Sequence, residues 1–139
     1  AAHQAWYAAV NALFGTFRKY RADHSVLPWV TYTDPEVAHV GLTEAMAHDQ
    51  GIDYEIVRYD LSHLDRAVTE SANLGFVKLL VQPGKDRILG VTIVARDAGE
   101  MLAEYVLAMK HGIGLNKMLA TVHAYPTMAE ANKYAAGEW

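Results

Sequence analysis

The chain has no cysteine among its 139 residues. That excludes disulfides, thiolate metal sites and any sulfhydryl nucleophile supplied from within it. Nor is there a G-x-G-x-x-G stretch, so the glycine-rich turn that seats a dinucleotide on a Rossmann sheet is not expected. The seven histidines show no H-x-x-x-H spacing and gather no carboxylates around them, which gives no metal site. A net charge of -4 offers no reason to expect nucleic acid or an acidic membrane as partner. No apolar run approaches the roughly 18 residues of a membrane-spanning helix, and no membrane partner is expected. The start also lacks the basic and apolar regions of a secretory signal. With no cysteine to report on redox environment, the cytoplasm is the default compartment.

What remains is an ordinary globular composition, 52% hydrophobic and 20% charged. At this length one domain, or one domain with an appendage, is expected, and about two-thirds of the unfolded surface is buried. The opening Ala1-Ala2-His3-Gln4 reads as the interior of something longer. Trp6, Val10, Leu13, Phe14 and Phe17 then form a helical apolar stripe that Gly15 ends, and the stripe calls for a partner surface. Arg18, Lys19 and Arg21 lie close together, but Asp23 follows, and the segment reads as a solvated linker.

Trp29 to Thr33 is aromatic and β-branched and predicts a strand, broken at "DPEVAHVG" by Pro35 and Gly41. Thr43 is placed to cap a short helix from Glu44 to Gln50, stopped by Gly51. Tyr54 to Tyr59 predicts a second strand, with Tyr54 and Ile56 on one face and Glu55, Val57 and Tyr59 on the other. "DLSHLDRAVTESANLG" reads as polar and irregular. "FVKLLV" and "ILGVTIV" flank "QPGKDR" and give an antiparallel hairpin, in which Gly90 marks a bulge or a close backbone approach. Asp97 precedes a helix with Met101, Leu102, Tyr105, Val106 and Met109 on its apolar side, stopped by Gly112. "LNKMLAT" gives a helical turn, and a last helix follows Pro126 and runs to about Gly137. Strands in the middle and helices at the end give an α+β fold: an antiparallel sheet with helices packed on one face.

The stretch "TVHAYPTMAE", Thr121 to Glu130, carries the densest chemistry. Thr127-Met128-Ala129-Glu130 fits a capping box, in which the threonine hydroxyl and the glutamate carboxylate satisfy each other's backbone amides. His123 and Tyr125 would share a face if the segment is extended. The "ARDAGEM" turn offers a helix start that could hold an anion, though a plain strand-to-helix turn explains it as well.

Three stretches in order, "YTDPEVAHVGLTEAMA", "GFVKLLVQPGKDRILGVTIVARDAGEMLAEYVLAMKHG" and "HAYPTMAEA", resemble the C-terminal dimerisation domain of the flavin-dependent pyridine nucleotide–disulfide oxidoreductases. That family includes dihydrolipoamide dehydrogenase, glutathione reductase and mercuric reductase. The resemblance begins near Leu27. It implies that residues 1–26 are the last helix and linker of an FAD domain and that residues 27–139 are the dimerisation domain. It further implies a homodimer, with FAD and NAD(P) held by other domains of a longer parent and no cofactor bound to this piece. Family members place a histidine before the matching proline, paired with a glutamate five positions on, as acid–base for a dithiol in the partner subunit.

Here the carry-over lands on Tyr125 and Glu130, with Tyr125 and Pro126 as the cofactor-facing pair and His123 as a substitute base. Glu130 matches and Tyr125 departs. A tyrosine near its ordinary pKa of about 10 is a poor base at neutral pH but can donate a hydrogen bond. Mercuric reductase is similar in carrying a tyrosine there, and differs in the place of the proline and in a terminal cysteine pair. The expected function is a dimerisation and active-site-completing domain of a mercuric-reductase-like or dihydrolipoamide-dehydrogenase-like parent, inactive alone. Two other readings are a self-contained module binding a small ligand or a protein, and an independent acid–base enzyme using His123, Tyr125 and Glu130.

Overall fold

The computed structural model describes residues 2–139. Helix α1 (Ala2–Phe14) carries the first apolar stripe, yet none of its residues is buried. Asn11 folds the following segment back onto it, donating from Nδ2 to the Tyr20 carbonyl (2.7 Å) and accepting the Tyr20 amide (2.8 Å).

The rest is organised by one five-stranded antiparallel sheet in the order β1-β2-β5-β4-β3. Its strands are β1 (Trp29–Thr31), β2 (Glu36–Gly41), β3 (Glu55–Asp60), β4 (Phe76–Val81) and β5 (Ile88–Ala95). The β4–β5 hairpin lies at the heart of the sheet, as "QPGKDR" indicated. The supposed break at "DPEVAHVG" is a correction: Asp34-Pro35 is the turn of a hairpin, its peptide bond cis, and residues 36–41 form β2, which pairs with both β1 and β5. Pro35 stands just outside the ladder, where its missing N–H costs nothing.

Gly90 stands at a close backbone approach, next to a register shift. The pairing of β4 with β5 shifts register between Leu80 and Val81. The Leu89 carbonyl accepts the Leu42 amide at 2.9 Å. This brings the Leu42 backbone so near that a Cβ on Gly90 would lie 1.9 Å from the Leu42 carbonyl oxygen. Gly41, opposite Gly90 in the register, has φ +83° and equally little room.

Helix α4 (Ala98–Lys110) crosses β1, β2 and β5, and α6 (Glu130–Gly137) crosses β3 and β4, both on one face of the sheet. Between them and the sheet lie Val40, Val77, Leu79, Val91 and Ile93 from the strands with Met101, Leu102 and Tyr105 from α4, all buried. Burying each such large side chain contributes about 2 kcal/mol. Helix α5 (Leu115–Ala120) packs on α6 and is tied to the hairpin turn, where the Asp86 carbonyl accepts the Leu115 amide. Helix α2 (Glu44–Asp49) is capped by Thr43, whose hydroxyl accepts the Met46 amide at 3.2 Å, and Gly51 turns the chain away at φ +63°. Lys78 points to the other face of the sheet from Val77 and Leu79 and holds α2 there through Glu44, at 2.6 Å.

The stretch expected to be irregular is not. It forms a 3-10 turn at Leu61–His63 and a short helix, α3 (Asp65–Thr69). Leu61, Leu64 and Ala67 are buried and fix this corner to the core. His63 and Asp65, between those anchors, are thereby turned outward.

Candidate functional site

Two concavities among the described residues bear on the site. The larger, about 1170 Å³, opens at the end of the sheet where β2 and β4 finish, and is lined by none of His123, Tyr125, Pro126 and Glu130. The smaller, about 150 Å³, lies at the opposite end, where β3 finishes, and is lined by Tyr59, His63, Leu64, Asp65, Tyr125, Glu130 and Tyr134. Tyr125 and Glu130 therefore meet in space as well as in sequence.

Glu130 is the first residue of α6 and is buried, with 7% of its surface exposed. Its Oε2 accepts the Thr127 amide at 3.1 Å, and its Oε1 accepts the Tyr134 hydroxyl at 3.4 Å. Only half of the expected capping box is thus present. The Thr127 hydroxyl turns away and donates to the Ala124 carbonyl (2.8 Å), because the chain makes an extra turn at Met128–Ala129 before α6 begins.

Tyr125 is 69% exposed, and its peptide bond to Pro126 is cis. Its hydroxyl does not reach Glu130. It donates to Asp65 Oδ2 on α3, at 3.0 Å. This hydrogen bond and the charge of the Asp65 carboxylate push the Tyr125 phenol above its ordinary range. The Glu130 charge does the same to Tyr134. Burial is the leading cause of the upward shift of Tyr59, whose ring lies 5.5 Å from that of Tyr134. The cavity therefore presents three phenols that keep their protons at neutral pH, between two carboxylates and an imidazole.

His123 does not belong to this group. The two side chains take different partners, Tyr125 on α3 and His123 on α4. There Nε2 lies 2.8 Å from Glu104 Oε1, while Nδ1 donates to the Thr121 carbonyl at 3.1 Å. As a substitute base beside Tyr125 it is displaced, and the imidazole that does line the cavity is His63. Sequence reading missed His63 and Asp65. The spacing of Leu61, Leu64 and Ala67, three residues apart, was the signal that would have placed them on an ordered corner. At the "ARDAGEM" helix start the Gly99 amide is met from within the chain, by Glu36 Oε2 of β2 at 3.0 Å.

Comparison with known proteins places this arrangement in a lineage. The profile of the pyridine nucleotide-disulphide oxidoreductase dimerisation domain matches residues 27–136. The chain belongs to this family. Among curated relatives, the chain is 40% identical over 136 residues to dihydrolipoamide dehydrogenase of Chaetomium thermophilum, covering 97% of this chain and 27% of that protein. It is 42% identical to dihydrolipoyl dehydrogenase of Trypanosoma brucei brucei, covering 85% of this chain and 25% of that protein. The chain thus spans about a quarter of the length of these relatives.

Among solved structures, the chain superposes on the Cu(II) complex of the HOCl-induced flavoprotein disulfide reductase RclA from Escherichia coli with TM-score 0.86 and 22% identity, covering 96% of this chain and 30% of that one. It superposes on LpdA from Mycobacterium tuberculosis with TM-score 0.80 and 21% identity, covering 91% and 28%. At such identities these likenesses establish the fold alone.

Proposed function

We propose that this dimerisation domain joins two copies of a longer flavin-dependent oxidoreductase, and that the segment Tyr125–Glu130 completes the active site of the partner copy. The observation that carries the reading is the convergence of Tyr125 and Glu130 on one cavity at the sheet's end. Supporting it, the segment is held from behind by Thr127, Tyr134 and Asp65 while the Tyr125 ring and Pro126 stay exposed, as a surface offered to another subunit would be.

FAD and NAD(P) belong, in this reading, to other domains of the parent, with residues 1–26 as the end of the FAD domain. Bound there, they supply the electron transfer. The cavity of about 150 Å³ falls below the roughly 300 Å³ of a cofactor-sized pocket. Tyr125 and Pro126 are therefore proposed to border a flavin-containing site and not to enclose it. What this chain's own groups do there is bind and orient. Glu130 fixes the turn, and the Tyr125 phenol stays neutral and acts as a hydrogen-bonding group, so no neutral-pH base comes from this position.

The test uses the full-length parent. Light scattering is expected to give a dimer that persists in Tyr125→Phe and Glu130→Gln. Both variants are expected to keep their flavin and lose about tenfold in kcat/KM for the NAD(P)H-dependent reaction, as removal of a positioning contact does. A monomeric parent, or full turnover in the double variant, would end the proposal. The isolated chain with added FAD is expected to show no NAD(P)H oxidation above background.

A further inference from the structure

In a pairing made within one loop, Glu130 would be the carboxylate partner of Tyr125. The geometry distributes the contacts otherwise. Glu130 is taken by the Thr127 amide and the Tyr134 hydroxyl, and the hydroxyl of Tyr125 is received by Asp65, 60 residues earlier in the chain. Asp65 is the first residue of α3, a helix pinned to the core through Leu64 and Ala67, so the carboxylate is held by a fixed corner and not by a loose loop.

A phenol has one proton and two lone pairs. With the proton directed to Asp65, the lone pairs are left for whatever approaches the exposed side of Tyr125. The neighbouring carboxylate also enriches that oxygen in negative charge. We propose that Asp65 is the positioning residue of this site: it claims the Tyr125 proton and so makes the phenol oxygen a hydrogen-bond acceptor for a proton-bearing substrate group, a thiol. This inference rests on the reading that Tyr125 faces an active site. It specifies what Tyr125 does there, which is to receive the S–H of a dithiol and orient it, without removing its proton at neutral pH.

The groups facing Tyr125 are Asp65 from α3, Glu130 and Tyr134 from α6, Tyr59 from β3 and His63 from the 3-10 turn. Of these, only Asp65 is hydrogen-bonded to the Tyr125 hydroxyl. The upward displacement of the phenol, caused first by that bond, agrees with the assignment.

The test has two arms. In the first, the chain is labelled with ζ-13C tyrosine and titrated by NMR, the Tyr125 signal being assigned by its loss in Tyr125→Phe. Asp65→Asn and Asp65→Ala are expected to bring the Tyr125 midpoint down toward the ordinary tyrosine value, by more than the midpoints of Tyr59 or Tyr134. An unchanged Tyr125 midpoint in both variants overturns the proposal. In the second, the full-length parent is assayed with a small dithiol. Asp65→Asn and Tyr125→Phe are both expected to raise KM several-fold with a smaller change in kcat. A KM raised in Tyr125→Phe but unmoved in Asp65→Asn also overturns the proposal. A parent indifferent to Tyr125→Phe, with the NMR shift intact, would instead remove the functional reading beneath it.

Discussion

His123 is joined to Glu104, its Nε2 lying 2.8 Å from the carboxylate Oε1, so that the Thr121–Glu130 loop is moored to the middle of α4. The same carboxylate accepts Asn132 Nδ2 through its other oxygen at 2.8 Å, and Asn132 donates as well to the Met101 carbonyl at 2.9 Å. Loop, α4 and α6 thus share one polar cluster.

Asn132 is fully buried, and among the described residues its Oδ1 has no hydrogen-bond partner. Both of its amide protons are used, so a side chain without them should fail. Asn132→Asp places a second carboxylate beside Glu104 and is expected to cost about 3 kcal/mol. Urea denaturation followed by circular dichroism measures it. A loss below about 1 kcal/mol would mean that the cluster relaxes and takes in water.

The contact of Gly90 with the Leu42 backbone gives a comparison between two glycines. Gly90→Ala forces carbon against a carbonyl oxygen, and the backbone must move. Gly51→Ala meets nothing within 4 Å and suffers only from its φ of +63°. The expected losses are about 3 kcal/mol or more for Gly90 and about 1 kcal/mol for Gly51. Equal losses in thermal denaturation would show that the tight crossing has slack.

Tyr105 is buried under α6, and burial drives its phenol well above the ordinary value. Its hydroxyl donates to the Asn132 carbonyl at 3.3 Å. A raised folded pKa means that the folded state holds the proton more tightly than the unfolded chain. Stability is then complete below about pH 10 and lost as pH rises beyond it. Tyr105→Phe is expected to make this alkaline limb shallower, while costing about 1 kcal/mol at neutral pH through the lost hydrogen bond. Stability against pH from 7 to 11 in both proteins checks it.

His39 gives the opposite sign. It is buried in β2 beneath the Trp29 ring, with Nε2 donating to the Gly41 carbonyl (3.0 Å) and Nδ1 accepting from the Thr92 hydroxyl (2.9 Å). Burial first, and the Lys78 charge also, lower its pKa against the opposing Gly41 bond. Stability is present above about pH 6.5 and lost as pH falls through the folded value. His39→Gln keeps a donor and an acceptor but takes up no proton. The acid limb in that variant is expected to be flatter, and an identical limb would assign acid unfolding to other groups.

What the sequence made legible was whatever was local. The turn chemistry of Pro83-Gly84 gave the β4–β5 hairpin, Thr43 and Gly51 bracketed α2, and the apolar spacing from Met101 to Met109 gave α4. Strand β2 was hidden because Pro35 looks like an ending when it is the inside of a turn, and because His39 interrupts an apolar run with a polar side chain that only Thr92 and Gly41 satisfy. Helix α3 was hidden because it has five residues, and its stability comes from docking Leu64 and Ala67 and not from any length of its own. At the candidate site, Tyr125 and Glu130 were visible through resemblance. The partner of Tyr125 was not, since a hydrogen bond spanning 60 positions leaves no local pattern.

The facing pair Gly41 and Gly90 has a practical implication for engineering. Two segments far apart in the chain meet there with only hydrogens between their backbones, and each conformation is intelligible only in the presence of the other. Anyone transplanting the β4–β5 hairpin into a new scaffold would therefore have to carry residues 41–42 along with it, as a single inseparable graft.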